Sequence, residues 1–179
     1  EYCEDNDLYF DYIIQENKSK SALLEMICEV GHGVVYTDMV SGKFVCAIDE
    51  EKNEVLNTYN AQNIINESYQ KEFERRIDGV KVTYNNKNAD YKEDTVIIMR
   101  DGVTRTNDSV IKELTLDGIV EYQQVAKYVR FLMASWNLRQ KTVSISVGSE
   151  ALMYPLMGKI QLQTDALKVG ISSGTIESV

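Results

Sequence analysis

The feature that most constrains this chain is a change of apolar period near residue 141. Upstream, Tyr122, Val125, Ala126, Val129, Leu132, Met133 and Trp136 recur at i, i+3 and i+4. That spacing gathers them on one stripe of an α-helix. Downstream, Val143, Ile145 and Val147 alternate with Thr142, Ser144 and Ser146, the period of a half-buried strand. Asp117 is placed to cap the helix and Glu121 falls in its first turn. Arg139 and Lys141 lie where cations suit the negative end of the helix dipole. So wide a stripe predicts a lid packed across a sheet or barrel, in preference to a groove for a partner.

The same rules organise the rest of the chain. Residues 9–14 are aromatic and β-branched and read as a strand. Residues 18–30 read as a helix, with Ser19 or Ser21 as its cap and Gly31 as its left-handed end. Residues 34–38 and 43–49 flank Ser41-Gly42 as a hairpin. Residues 50–63 are polar and read as a connection, and 64–73 as a strand. Further strands are expected at 80–84, 95–99, 112–116, 142–147 and 159–163, with a last one at 174–179. Strands outnumber helices and do not alternate with them as βαβ units would. The expected class is α+β, mainly antiparallel, with one amphipathic helix per half.

Charge and composition exclude several functions. The 179 residues carry 19 basic and 28 acidic side chains, a net charge of -9. Residues 1–94 hold 10 basic and 20 acidic groups, whereas 95–179 hold 9 and 8. Affinity for nucleic acid comes mainly from Lys and Arg displacing counterions, so this chain is expected to make no sequence-specific contact with DNA. No apolar run approaches the roughly 20 residues needed to span a bilayer, and no membrane insertion is expected. Cys3, Cys28 and Cys46 are odd in number and widely spaced, which points to free thiols in a reducing compartment. The chain begins with Glu1, as expected of a piece excised from a longer protein.

Each candidate for chemistry meets a plainer explanation. His32, the only histidine, is flanked by Gly31 and Gly33 and reads as punctuation after a helix. Asp49, Glu50 and Glu51 form a polar turn without the spacing of a Ca²⁺ loop. Ser149 follows Gly148, but the G-x-S-x-G elbow is missing. Cys28 falls on the apolar helix face with Leu23, Leu24 and Ile27. The 11 tyrosines fall largely at strand positions and suit core and sheet faces. No catalytic, cofactor-binding or metal-ligating residue is assigned, and no enzymatic activity is expected.

A resemblance carries the reading further. Residues 110–163 resemble the central region of phage tail tip attachment proteins, the J family of lambda-like long-tailed phages. They are also similar to related hub proteins of prophages and gene transfer agents. The shared pattern is a strand, a short turn, a helix with a QA-like entry and a strand of the type ETVSFxVGxEGL. Here the entry is Gln124-Val125-Ala126, and Lys141 to Leu152 reads KTVSISVGSEAL. Asp78-Gly79-Val80-Lys81-Val82-Thr83-Tyr84 matches the family's N-x-V-x-V-x-Y strand, after the link Tyr59-Asn60-Ala61-Gln62-Asn63-Ile64. The family's Pro-Gly-Asp turn is replaced by Leu156-Met157-Gly158-Lys159, after the chain's only proline, Pro155.

The resemblance implies a structural hub that closes the distal end of the tail tube and takes part in tail assembly and DNA passage. It implies a small helix-plus-hairpin domain over 1–58 and a β-barrel-like hub domain over 59–179 with helix 119–140. It further implies a homotrimer in the full-length protein, contacts with the distal tail protein and the tape measure protein, and a virion tail tip location after assembly in the host cytoplasm. An acidic lumen would keep exiting DNA from sticking. The rival readings are a cell-wall hydrolase and a carbohydrate-binding domain of a tail-associated protein.

Overall fold

The computed structural model describes residues 2–14, 17–39, 41–71, 75–163 and 171–178. In chain order its helices are α1 (Tyr2–Asp5), α2 (Lys20–Val30) and α3 (Tyr122–Leu138). Its strands are β1 (Gly33–Thr37), β2 (Phe44–Ile48), β3 (Asn57–Asn60), β4 (Asn66–Lys71), β5 (Gly79–Asn86), β6 (Lys92–Met99), β7 (Ile111–Leu116), β8 (Lys141–Ser146), β9 (Lys159–Gln163) and β10 (Ser172–Thr175). The chain sorts into two interleaved units. Unit 1 is Glu1–Gly31 with Glu72–Gln140, and unit 2 is His32–Lys71 with Lys141–Val179. The sequence reading cut the chain once, between residues 58 and 59. The interleaving arises because strands of the first half pair with distant ones, Asn57 beside Ile160 and Asn66 beside Ser146.

Unit 1 is a three-stranded sheet, order β6-β5-β7, packed against α3. Antiparallel β6 and parallel β7 flank β5. Alternation sends Val80, Val82 and Tyr84 to one face of β5, all fully or nearly fully buried. Val125, Val129 and Met133 of α3 pack into the same cluster, joined by Ile98, Leu116 and Ile119. Each such side chain contributes roughly 1.5–3 kcal/mol on burial. The opposite face of the sheet is polar, with Lys81 bonded to Glu113 at 2.9 Å and Thr83 beside Thr95 at 3.2 Å. The apolar stripe of α3 is therefore a lid on a sheet, as its width predicts.

The helix ends differ from expectation in instructive ways. Ser19 caps α2, its hydroxyl accepting from the Ala22 N–H at 3.2 Å. Gly31 is not left-handed, having φ -82. The positive φ falls one residue later, at His32 (φ 57). Gly31 instead makes room for the Cys3 thiol, which would sit 3.3 Å from any added Cβ. On α3 the N-cap position is Glu121 and not Asp117, and its side chain makes no capping bond. Its carboxylate bonds Lys87 at 3.0 Å, and Asp117 faces Lys18 at 3.9 Å. Gly118 (φ 83) turns the chain between them, with the Phe10 ring packed where a Cβ would go. The helix thus runs over 122–138 and not 119–140.

Residues 9–14 are not a strand. Leu8 is buried, Phe10 packs on the core, and the Asp11 N–H donates to the Gly118 carbonyl at 2.9 Å. Side-chain burial and this backbone bond fix the segment without a ladder. Conversely, the polar stretch 50–63 hides a strand, β3, whose Tyr59 is buried opposite Leu162 of β9.

Unit 2 holds three small sheets: the β1·β2 hairpin, the order β10-β9-β3, and the β4·β8 pair. Among the described residues two pairings, β3·β9 and β5·β7, are parallel and the other four antiparallel. No closed barrel exists among the described residues. The strands expected to share one barrel, at 80–84, 112–116, 142–147 and 159–163, fall in three different sheets. The two long helices, α2 and α3, lie one in each half of the sequence as expected, and both belong to unit 1. The last strand lies at Ser172–Thr175, and Val179 lies outside the described residues.

Candidate functional site

The structure brings two of the singled-out residues together. His32 opens β1 and Asp49 follows β2, so the hairpin register sets them side by side. The Asp49 N–H donates to the His32 carbonyl at 2.9 Å. Burial pushes the His32 imidazole below its ordinary value, and the Asp49 carboxylate partly offsets that shift. Glu50 turns away to pair with Lys52 at 2.8 Å. Among the described residues no three His, Cys, Asp or Glu side chains are grouped to hold a metal ion.

The other candidates stay apart. Ser149 opens a short 3-10 turn, Ser149–Met153, with the Glu150 carboxylate folded back over Gly148. That is a short turn after a strand and not a nucleophile elbow. Cys28 and Cys3 are half-buried and Cys46 is exposed on β2, and no disulfide joins them. Tyr59, Tyr84 and Tyr128 are buried, and burial raises all three hydroxyls, Tyr128 to about 12. These tyrosines are core residues, as their strand and helix positions imply.

A surface hollow of about 410 Å³ lies in unit 2. Leu56, Pro155 and Leu156 give it an apolar floor, and Glu51, Glu54 and Lys159 a charged rim. Its shape depends on the turn at 155–158. Met157 holds a left-handed φ of 59, and Leu56 packs where a Cβ on Gly158 would stand. Local patterning could not reveal this hollow, because its two walls are 100 residues apart. Its lysines are engaged with neighbours: Lys159 Nζ donates to the Lys52 carbonyl at 3.1 Å, and Lys52 pairs with Glu50. Among the described residues no nucleophile with an adjacent base lines it.

One carboxylate outside the sequence candidates stands out. Asp78 accepts the Val110 N–H at 3.0 Å and faces Arg100 at 3.4 Å. The Val110 bond, then Arg100, hold its carboxyl below the ordinary carboxylate value. The Asp78 carbonyl also accepts the Arg100 N–H at 2.8 Å, and its N–H donates to the Val110 carbonyl at 2.9 Å. Asp78 thus joins the start of β5 to the segments that border β6 and β7. This is a structural clasp.

Comparison with known proteins now bears on these features. No sequence-family model matches the chain, and no curated protein sequence matches it. Solved structures do. A tail protein from Neisseria meningitidis MC58 superposes with a TM-score of 0.61 at 13% identity, over 90% of this chain and 49% of that one. The chain shares the fold of that part of the Neisseria protein. The 43 kDa tail protein of prophage MuSo2 from Shewanella oneidensis gives a TM-score of 0.52 at 8% identity, over 92% of this chain and 50% of that one. The chain spans about half the length of either neighbour.

Proposed function

We propose that this chain is a structural component of a phage or prophage tail, placed at the tip or baseplate hub as in the J-type proteins it resembles. The observation that carries the reading is the shared fold with the Neisseria tail protein over 90% of the chain. In this reading the chain helps close the distal end of the tail tube, takes part in tail assembly and lets DNA pass. Its partners are copies of itself, three in the full-length protein, together with the distal tail protein and the tape measure protein. It does no chemistry. The acidic excess of residues 1–94 repels DNA where it borders the lumen.

The test is direct. Particles purified from lysates should contain the protein, and gold-labelled antibody should mark the end of the tail away from the head. Removing its gene should leave heads without functional tails. A protein missing from purified tails overturns the reading. A zymogram on peptidoglycan should be blank, and a clearing band would favour the hydrolase.

A further inference from the structure

Three tyrosines of unit 1 stand outside its core. Tyr9, Tyr91 and Tyr122 are 56%, 58% and 51% exposed, and three chain segments bring them to the start of α3. The Gln124 amide donates to the Tyr9 carbonyl at 2.8 Å, and the Asp11 N–H donates to the Gly118 carbonyl at 2.9 Å. From the turn between β5 and β6, the Lys87 N–H donates to the Val120 carbonyl at 3.0 Å and the Lys87 ammonium pairs with Glu121 at 3.0 Å. The Glu121 bond, and after it the nearby Tyr91 hydroxyl and Asp11 carboxylate, hold that ammonium above its ordinary value. Tyr91 and the preceding Asp90 have left-handed φ of 57 and 55. For a side chain as bulky as tyrosine that conformation is strained, and strain of this kind collects at functional sites.

We propose that this patch of unit 1 is a binding site for a neutral saccharide. The argument is the chemistry set among the rings. The electron-rich face of a tyrosine suits the C–H face of a pyranose, and a ring with two side-chain torsions loses little entropy in the contact. Sugar hydroxyls both donate and accept, and the patch offers both kinds of partner. The Asp11 and Glu121 carboxylates accept, while the Lys87 ammonium and the exposed Asn88 amide beside it donate. The two carboxylates repel an anion, and the ammonium among them repels a cation. Covering these charged groups with a wholly apolar partner would leave them unsolvated. A neutral ligand with an apolar face and a hydroxyl edge meets every one of these conditions.

The site does not rest on the hub reading and does not oppose it. Three copies carry three such sites, so weak binding at each one suffices for firm attachment. The test is a nuclear magnetic resonance titration of the chain with two neutral saccharides, chitotetraose and maltotetraose, and with tetralysine. One of the sugars is expected to bind with a Kd of about 1 mM, shifting amides within 9–11, 87–91 and 121–124. Tyr122→Ala should weaken that binding about tenfold. Tyr91→Asn should do the same, and Asn tolerates the left-handed φ. Tyr69→Ala, at an exposed tyrosine of β4 in unit 2, should leave the binding unchanged. Far-ultraviolet circular dichroism verifies that each variant folds. No shift with either sugar, shifts centred on other residues, ring variants that bind like the parent chain, or tetralysine binding here in preference to both sugars overturns the proposal. None of these outcomes touches the tail reading, which the content of purified tails decides.

Discussion

Lys71 stands directly opposite Lys141 at the end of the β4·β8 ladder. Lys71 is the last described residue of β4 and Lys141 the first of β8, so the two ends of the intervening stretch meet at one point of the ladder. The intervening stretch holds the sheet and the lid helix of unit 1. Two strands that look unrelated in sequence are a single clasp around an inserted stretch. Like charges directly across a ladder are unfavourable. Lys141→Glu should accordingly stabilise the protein by about 0.2–1 kcal/mol. Urea unfolding with and without salt checks it: the gain should shrink as salt rises, and a loss of stability would contradict the register.

The core of unit 1 rests on the fit of α3 to β5. Met133 is 2% exposed and packs into the same cluster as Val80 and Val82. Met133→Ala should cost about 2–5 kcal/mol, by lost transfer energy and the cavity left behind. Unfolding followed at Trp136, which packs on the same cluster, reports it. A change under about 0.5 kcal/mol would mean that the lid does not cover this sheet.

That lid was the most legible part of the fold. Its stripe spans the fifteen residues Tyr122 to Trp136 within one element, so local period suffices to find it. Strands β5, β8 and β9 were readable for the same reason. What could not be read is pairing. Tyr59 lies in a polar run, and its burial comes from Leu162 more than a hundred residues away. The barrel expectation failed at this step, because period two says that a strand is half-buried and nothing about which neighbour covers it. The candidate site shows the same limit. His32 and Asp49 are visible singly, while their adjacency exists only through the hairpin register. Asp78 is visible only as the first residue of a strand pattern, and its bonding role is not, because that role is set by groups of Arg100 and Val110.

Gly118 is required twice. Its φ of 83 disfavours any side chain, and the Phe10 ring occupies the space of a Cβ. Gly118→Ala should destabilise by more than about 1 kcal/mol. Phe10→Ala removes the steric part and leaves the backbone part. A double-mutant cycle should therefore show a coupling of roughly 0.5–3 kcal/mol between the two positions. Strict additivity would mean that the 8–14 segment does not pack on this turn.

His32 gives the chain a single pH-sensitive group near neutrality. Burial lowers its folded value below 6.5, with Asp49 opposing. The unfolded chain then takes up a proton, as pH falls through 6.5, that the folded chain does not. Stability is full above that value and declines below it, until the folded imidazole also protonates. His32→Asn keeps a residue that tolerates the left-handed φ of 57 and removes the titration. Urea midpoints at about pH 7.5 and about pH 5.5 should fall in the parent chain by more than in the variant. As the only histidine, it also gives one imidazole signal, whose midpoint in the folded protein should lie below 6.5. A midpoint above it would show that Asp49 outweighs burial and would reverse the sign of the effect.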